Sequence, residues 1–170
     1  PPPRPRRPML RFFLCFVALT ALYYVVVLLP WVDSTAFPAY LRINARISAA
    51  VLNGFGQACH VDNTTIRSPH FAITVRRGCD ALEPAWLFAA AVLAFPAPWR
   101  RRFAGLLAGT AVILALNLVR IVSLYLLGAH APALFESAHL EIWPVCFIAI
   151  ALALWLLWVR RIPASRHASA

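Results

Sequence analysis

Long apolar runs separated by short polar segments account for most of this chain. The first run has no charged residue between Arg11 and Asp33, and the third is interrupted only by Arg120. At about 1.5 Å of helix per residue, about 20 residues cross a hydrocarbon core of roughly 30 Å. The second run, 84–98, approaches that length only if residues 80–83 form its first turn. The pattern therefore predicts four membrane-spanning helices, over 12–32, 80–98, 103–127 and 142–159.

The composition agrees with an integral membrane protein. The chain has 170 residues, of which 62% are hydrophobic and 6 are acidic, and its mean hydropathy is +0.73. A soluble domain of this length would need more polar surface to cover its core. We therefore predict an all-α integral membrane protein in which residues 1–170 form a single membrane domain.

The positive charges follow the predicted spans. All 16 cationic residues are arginines, and most of them flank the apolar runs. This distribution is typical of topology signals rather than of a nucleic-acid-binding surface, so we expect no nucleic-acid partner. The positive-inside rule places the tails 1–11 and 160–170, and the loop around 100–102, in the cytoplasm. The segments 33–79 and 128–141 are then extracytoplasmic, and all six acidic residues of the chain fall on that side.

The first extracytoplasmic segment contains two predicted substructures. Residues 37–55 have the pattern of an amphipathic helix lying in the membrane interface. Its apolar positions include Leu41, Ile43 and Ile47, whereas Arg42, Asn44 and Arg46 are its polar positions. Two short alternating stretches, 64–66 and 71–75, predict a β-hairpin with its turn at Ser68-Pro69.

Cys79 is the first candidate for chemistry. It follows Gly78 and precedes the predicted second span. A thiol at a helix N-terminus has a lowered pKa, because the free N–H groups and the helix dipole favour the thiolate. The neighbouring Arg76 and Arg77 act in the same direction. The sequence therefore makes Cys79 a candidate nucleophile, with two structural alternatives: an inert buried thiol, or a disulfide with Cys59.

Arg120 is the second candidate. An arginine within an apolar span costs roughly 2.5–3.5 kcal/mol on insertion scales, so it marks a functional site by default. It lies roughly 25 Å along its helix from Phe103, near the same membrane face as Cys79. Asn117, three residues earlier, shares its helix face. Two interpretations are open: a cation that stabilises a thiolate and then an oxyanion, or a side chain that snorkels to bind lipid phosphate.

His139 is the third candidate, just before the last span. Glu136 and Glu141 are close in sequence, and a carboxylate such as Glu141 can orient the imidazole for general acid–base catalysis. The alternative is a solvated loop histidine. His60 and His70, with a nearby cysteine, raise the idea of a metal site, but their spacing matches no known ligand pattern. We predict no metal site and no cofactor.

Two segments carry a resemblance to a known family. They are GCDALEPAWLFAAAVLAFP (78–96) and LNLVRIVSLYLLGAHAPALFESAHLEIW (116–143). Together with the surrounding spans they resemble the exosortase/archaeosortase family, and are most similar to its H-type exosortase branch. The resemblance extends from residue 10 to residue 160. It implies that Cys79 is the nucleophile, Arg120 its activating or oxyanion partner, and His139 the general acid and base.

The resemblance also implies an activity and its substrates. Members of this family are implicated in processing exported proteins that carry a C-terminal motif, a transmembrane helix and a basic tail. This chain would then be a membrane-embedded cysteine transpeptidase or protease that cleaves such sorting signals through a thioacyl-enzyme. The acyl group would pass to an acceptor or to water. The implied location is the bacterial inner membrane, with the active site on the extracytoplasmic side.

A non-enzymatic function is the alternative. A small membrane scaffold or assembly subunit would use Arg120 to bind membrane lipids, and conservative changes to Cys79 would then have no effect. A lipid or polyprenyl transferase is less favoured, because the chain has no acidic metal-binding cluster of the expected kind. The residues themselves do not identify the recognition motif or the acceptor.

Overall fold

The structure, a computed structural model, describes residues 6–162. Residues 1–5 and 163–170, which belong to the two predicted tails, lie outside this range. Within it, six α-helices, three short strands and two π-helical turns follow one another. Their bounds are α1 Arg6–Val27, a π-helical turn Val32–Ala36, α2 Phe37–Gly54, β1 His60–Asp62, β2 Thr65–Arg67, β3 Ala72–Thr74, α3 Leu82–Ala94, α4 Trp99–His130, α5 Pro132–Ser137, a second π-helical turn Ala138–Ile142 and α6 Trp143–Arg160.

The prediction of an all-α membrane protein is confirmed. Three described helical stretches are long and apolar enough to cross a membrane: Pro8–Val27, Trp99–His130 and Pro132–Arg160. The predicted second span corresponds to α3, which is apolar but has only 13 residues. At about 1.5 Å per residue it rises about 20 Å, less than a typical hydrocarbon core. It ends at Ala94, shortly before Pro96 and Pro98, which disfavour further helix.

The segment 128–141, predicted as a loop, is mostly helical. α4 continues to His130, and α5 begins at Pro132 after the single non-helical residue Ala131. Proline suits the first turn of a helix because it needs no N–H partner there. α5, the second π-helical turn and α6 then follow without a break. His139 therefore lies on a helical element and not in a loop.

The bounds predicted for α2 are close to those observed, but the polar position Asn44 lies on its buried face. The buried side chains include Leu41, Asn44, Ala45 and Ser48. Ile43 is 54% exposed, and Ile47 and Val51 are exposed as well. The small side chains on the buried face suit a close approach to α4, whereas the larger isoleucines point away from the bundle.

The predicted hairpin is part of a three-stranded antiparallel sheet in the order β1-β2-β3. β2 pairs with β3 through Ile66 and Ile73, and β1 pairs with β2 through Val61 and Ile66. β1 was not predicted, because its three residues His60-Val61-Asp62 include a single apolar side chain. Asn63, with a φ of 55°, makes the tight turn between β1 and β2.

α4 takes part in two apolar cores. Its C-terminal half packs with α2 and the sheet, and its N-terminal half packs with α3 and α6. We call the first the sheet-side core; its members are Phe37, Leu41, Ala45, Ala49, Leu52, Cys59, Ile66, Val75, Ile121 and Tyr125. We call the second the helical core; its members are Ala81, Ala85, Phe88, Val92, Ile113 and Phe147.

Two glycines of α4 admit aromatic rings from its neighbours. A Cβ at Gly109 would overlap the ring of Phe88, and one at Gly128 would overlap the ring of Phe71. Phe88 lies on α3 and Phe71 immediately precedes β3. Because glycine has no side chain, these two positions determine how closely α3 and the sheet approach α4.

Candidate active site

The turn before α3 is held by its own aspartate. Gly78 has a φ of 87°, in the left-handed region that glycine adopts without strain. The buried carboxylate of Asp80 accepts hydrogen bonds from the N–H groups of Gly78 and Leu82, both at 2.8 Å. The Tyr40 hydroxyl donates to the Asp80 carbonyl at 2.7 Å. These bonds fix the backbone on both sides of Cys79.

Cys79, Arg120 and His139, distant in sequence, are brought together at this turn. Cys79 Sγ lies 3.2 Å from His139 Nε2. Arg120 Nη2 lies 3.9 Å from the same sulfur, and Arg120 Nη1 donates to the Gly78 carbonyl at 3.3 Å. A thiol thus has a proton acceptor on one side and a fixed cation on the other.

Arg120 is a buried cation. Only 6% of the residue is exposed, and its Nε has no hydrogen-bond partner. Among the described residues, no carboxylate forms an ion pair with it. Its guanidinium lies 5.6 Å from the centre of the Phe147 ring. A buried charge of this kind is costly unless a negative charge comes close, so the guanidinium can stabilise a negative charge that develops on the sulfur or on a bound oxygen during a reaction.

A polar chain supports the site from behind. Asn117, fully buried one turn before Arg120, donates to the Asn44 side chain at 3.3 Å. Asn44 in turn donates to the carbonyl of Tyr40 at 3.0 Å, and Tyr40 bonds to the Asp80 carbonyl. This chain connects the helix that carries the guanidinium to the turn that carries the thiol.

His139 is positioned differently from the expectation. Glu136 and Glu141 are both exposed, and within the described part of the chain neither bonds to the imidazole. The ring instead lies beside Phe135, with 5.8 Å between ring centres. His139 belongs to the π-helical turn, a local widening of the helix that often occurs at functional sites. Its place is thus set by the backbone and by packing, not by a carboxylate.

The pKa of the Cys79 thiol is raised from its ordinary value, which corrects the sequence prediction. Burial is the main cause; Arg120 opposes it and Asp80 adds to it. The expected helix N-terminus does not apply, because α3 begins only at Leu82. Arg77 is engaged elsewhere, with Asp33. The thiol is therefore protonated at neutral pH and needs a base to become a nucleophile.

Cys59 is not bonded to Cys79. All four cysteines are free, and Cys59 is buried in the sheet-side core. Its N–H donates to the side chain of Asn53, and this bond ties the segment after α2 to the end of that helix. The disulfide alternative for Cys79 is therefore not supported.

A cleft of about 640 Å³ opens directly onto the thiol. Residues 71–79, from Phe71 just before β3 to Cys79, form one wall. The other walls come from α4, from α5 and from the turn that carries His139. The lining residues outside 71–79 include Arg120, Leu124, Phe135, His139 and Pro144. This volume is typical of ligand-binding clefts in proteins.

Three supporting residues were missed by the sequence reasoning. Asp80 had a readable signal, because an aspartate two residues before a helix commonly accepts backbone N–H bonds there. Tyr40 and Asn44 had none, because their roles depend on how α2 packs against α4. Asn117 was expected beside Arg120 and lies on the same buried face.

Among the described residues, no group of three potential ligands able to hold a metal ion is found.

Comparison with known proteins gives one match. A family model described as transmembrane exosortase (Exosortase_EpsH) matches residues 7–156. No curated protein and no solved structure matches the chain. The matched region contains every residue of the site described above.

Proposed function

Since the chain belongs to the transmembrane exosortase family, we propose that it is a membrane-embedded cysteine transpeptidase. Its substrates are exported proteins that end in a short motif, a transmembrane helix and a basic tail. It acts in the bacterial inner membrane, with Cys79 on the extracytoplasmic side. The observation that carries the proposal is the 3.2 Å approach of Cys79 Sγ to His139 Nε2 beside the unpaired guanidinium of Arg120.

The first half of the reaction forms a thioester. The Cys79 thiol transfers its proton to His139 as the sulfur attacks the scissile carbonyl carbon. The carbonyl oxygen becomes an oxyanion, which Arg120 stabilises with its guanidinium. When the C–N bond breaks, His139 returns the proton to the departing amine, which keeps the helix and the basic tail.

The second half releases the acyl group. An acceptor amine, or water, loses a proton to His139 and attacks the thioester carbon. The C–S bond breaks, and the proton on His139 restores the Cys79 thiol. Because the thiol is buried and protonated, His139 acts as its base at the moment of attack, and no preformed thiolate is required.

The burial of Arg120 also bears on the alternative of a lipid-binding scaffold. A snorkelling arginine extends towards the headgroups, whereas Arg120 is buried and turned towards the sulfur. This arrangement favours the enzymatic function.

Replacement of the nucleophile tests the proposal. We expect Cys79→Ala to abolish cleavage of a reporter that carries the C-terminal tail of an exported protein from the same proteome. Cys15→Ala is the matched control, because Cys15 is an exposed residue of α1 that takes no part in the site. Both variants should insert into the membrane in wild-type amounts, and immunoblotting follows the cleavage.

Two further measurements complete the experiment. Intact-mass analysis of wild-type protein should detect a thioester-linked acyl group that hydroxylamine removes. A membrane-impermeant maleimide applied to intact cells should reach Cys79 only if the site faces outward. Retained cleavage in Cys79→Ala would exclude the covalent mechanism and favour the scaffold function.

A further inference from the structure

β3 presents an unpaired edge to the cleft. It is the last strand of the sheet and pairs only with β2. The Phe71 carbonyl accepts from the N–H of Ser68, and the N–H of Val75 donates to the Thr64 carbonyl, both at 2.9 Å. In an antiparallel pair these hydrogen-bonded positions alternate with positions whose backbone groups point away from the partner.

The alternation identifies the free groups. Phe71, Ile73 and Val75 direct their N–H and C=O groups towards β2. Ala72 and Thr74 therefore direct theirs to the opposite side. The Thr65 and Thr74 hydroxyls lie 2.9 Å apart, as expected of a close pair that does not exchange backbone bonds.

These groups have no partner in the described part of the chain. No hydrogen bond there uses the N–H or the C=O of Ala72 or Thr74. The segment that contains them forms the wall of the cleft and continues to Cys79. An open strand edge is normally blunted or covered, because it readily pairs with another extended chain. Here it is left open where a substrate must lie.

We propose that the substrate segment on the amino side of the scissile bond binds as an added strand along β3. This inference rests on the proposed function and states how that site holds its substrate. The backbone of Ala72 and Thr74 makes the hydrogen bonds, so the bonds themselves select an extended conformation and not a side chain. The cleft then selects among side chains that alternate towards and away from the sheet.

The direction of the added strand follows from the site. β3 runs from Ala72 towards Cys79, and the acyl portion of the substrate must end at the sulfur. The departing portion continues into the membrane helix. The substrate segment therefore runs parallel to β3, and pairing holds its last residues while the scissile carbonyl reaches the sulfur and Arg120.

A proline on the free edge tests the inference. Thr74→Pro removes the N–H that faces the cleft, while the bonds between β2 and β3 use other residues. Proline is tolerated at such edge positions. Val61→Pro is the matched control, because the same alternation turns the backbone of Val61 towards the far edge of the sheet, away from the cleft.

We expect Thr74→Pro to raise the KM for the tail-bearing reporter about tenfold, with a much smaller change in kcat. Val61→Pro should leave both constants near wild type. Alkylation of Cys79 by iodoacetamide should proceed at the wild-type rate in both variants, which shows that the turn and the thiol are intact. Wild-type KM in Thr74→Pro would overturn the inference, as would an equal KM increase in Thr74→Ala, which keeps the N–H.

Substrate variants give a reading that does not depend on folding of the enzyme variant. Single amide-to-ester replacements are placed along a synthetic tail peptide that ends in its transmembrane helix. We expect KM to rise at alternating positions on the amino side of the scissile bond. A flat profile would overturn strand addition. If Cys79→Ala still cleaves, the proposed function fails; if only the alternation and the Thr74→Pro effect are absent, strand addition alone fails.

Discussion

The two cores that share α4 differ in what they bury. The helical core is filled by apolar side chains such as Phe88, Ile113 and Phe147. Buried polar groups lie on the elements that build the sheet-side core, among them Ser48 on α2 and Asn117 on α4, and Arg120 lies between this core and the Phe147 ring. Polar groups are expensive in a bundle that lies in lipid, and an apolar core avoids that cost. Their concentration on one side separates the part of the molecule that carries chemistry from the part that supports it.

The largest expected effect compares two arginines of α4. Arg120→Ala removes the cation beside the sulfur, and we expect processing to fall by a factor of about 100 to 1,000, as when an oxyanion donor is lost. Arg102→Ala removes a cation that lies over the Trp99 ring near the other end of α4, and processing should be unchanged. The rate of reporter cleavage at equal protein levels is the measurement. Equal losses in both variants would mean that charge on α4 matters for insertion and not for chemistry.

An intermediate effect compares two glycines of the same helix. Gly128→Ala and Gly109→Ala each place a methyl group against an aromatic ring, and each should lower the free energy of unfolding by about 1–3 kcal/mol. Only Gly128→Ala should also reduce processing, several-fold, because Phe71 begins the wall of the cleft. Thermal unfolding in detergent and reporter cleavage are measured side by side. A cleavage defect of the same size in Gly109→Ala would show that the two regions are not separable.

The smallest effect is a shift in a pH profile. Burial raises the pKa of Cys79 and Arg120 partly opposes it, so thiolate should appear only above the pH range of an ordinary thiol. The rate of iodoacetamide alkylation, followed by peptide mapping, should therefore rise with pH through a midpoint above that range. Arg120→Gln should move the midpoint further upward, because the lowering influence is lost. A wild-type midpoint below that of an ordinary thiol would contradict the buried, protonated state.

The convergence of Cys79, Arg120 and His139 was predictable from their positions near span ends. A chain that crosses the membrane repeatedly brings alternate ends to the same face, so the sequence places three such residues at one face, whereas their approach to within 3.9 Å depends on packing. The family was also recognisable from the sequence, and the family match confirms the resemblance to exosortases and to their H-type branch. The catalytic roles of the three residues stay predictions.

The interior of the molecule was less predictable, for a physical reason. In water an apolar side chain indicates the core, but in lipid the outer surface is apolar too. On α2, for example, the apolar Ile43 is exposed, whereas the polar Asn44 is buried. The same ambiguity hid the polar chain from Asn117 to Tyr40, and β1, with one apolar residue among its three, showed no strand pattern.

The shortness of α3 has a consequence for the lipids around the protein. As the predicted second span, its 13 residues would leave a hydrophobic mismatch of roughly 10 Å against an average bilayer. Lipids beside α3 must thin, or polar loop residues must enter the acyl region. Where the bilayer thins, the headgroup plane moves towards Cys79, which lies only three residues before the helix. A peptide bond close to the end of a neighbouring full-length helix then meets the thiol without that helix having to unwind or rise out of the bilayer.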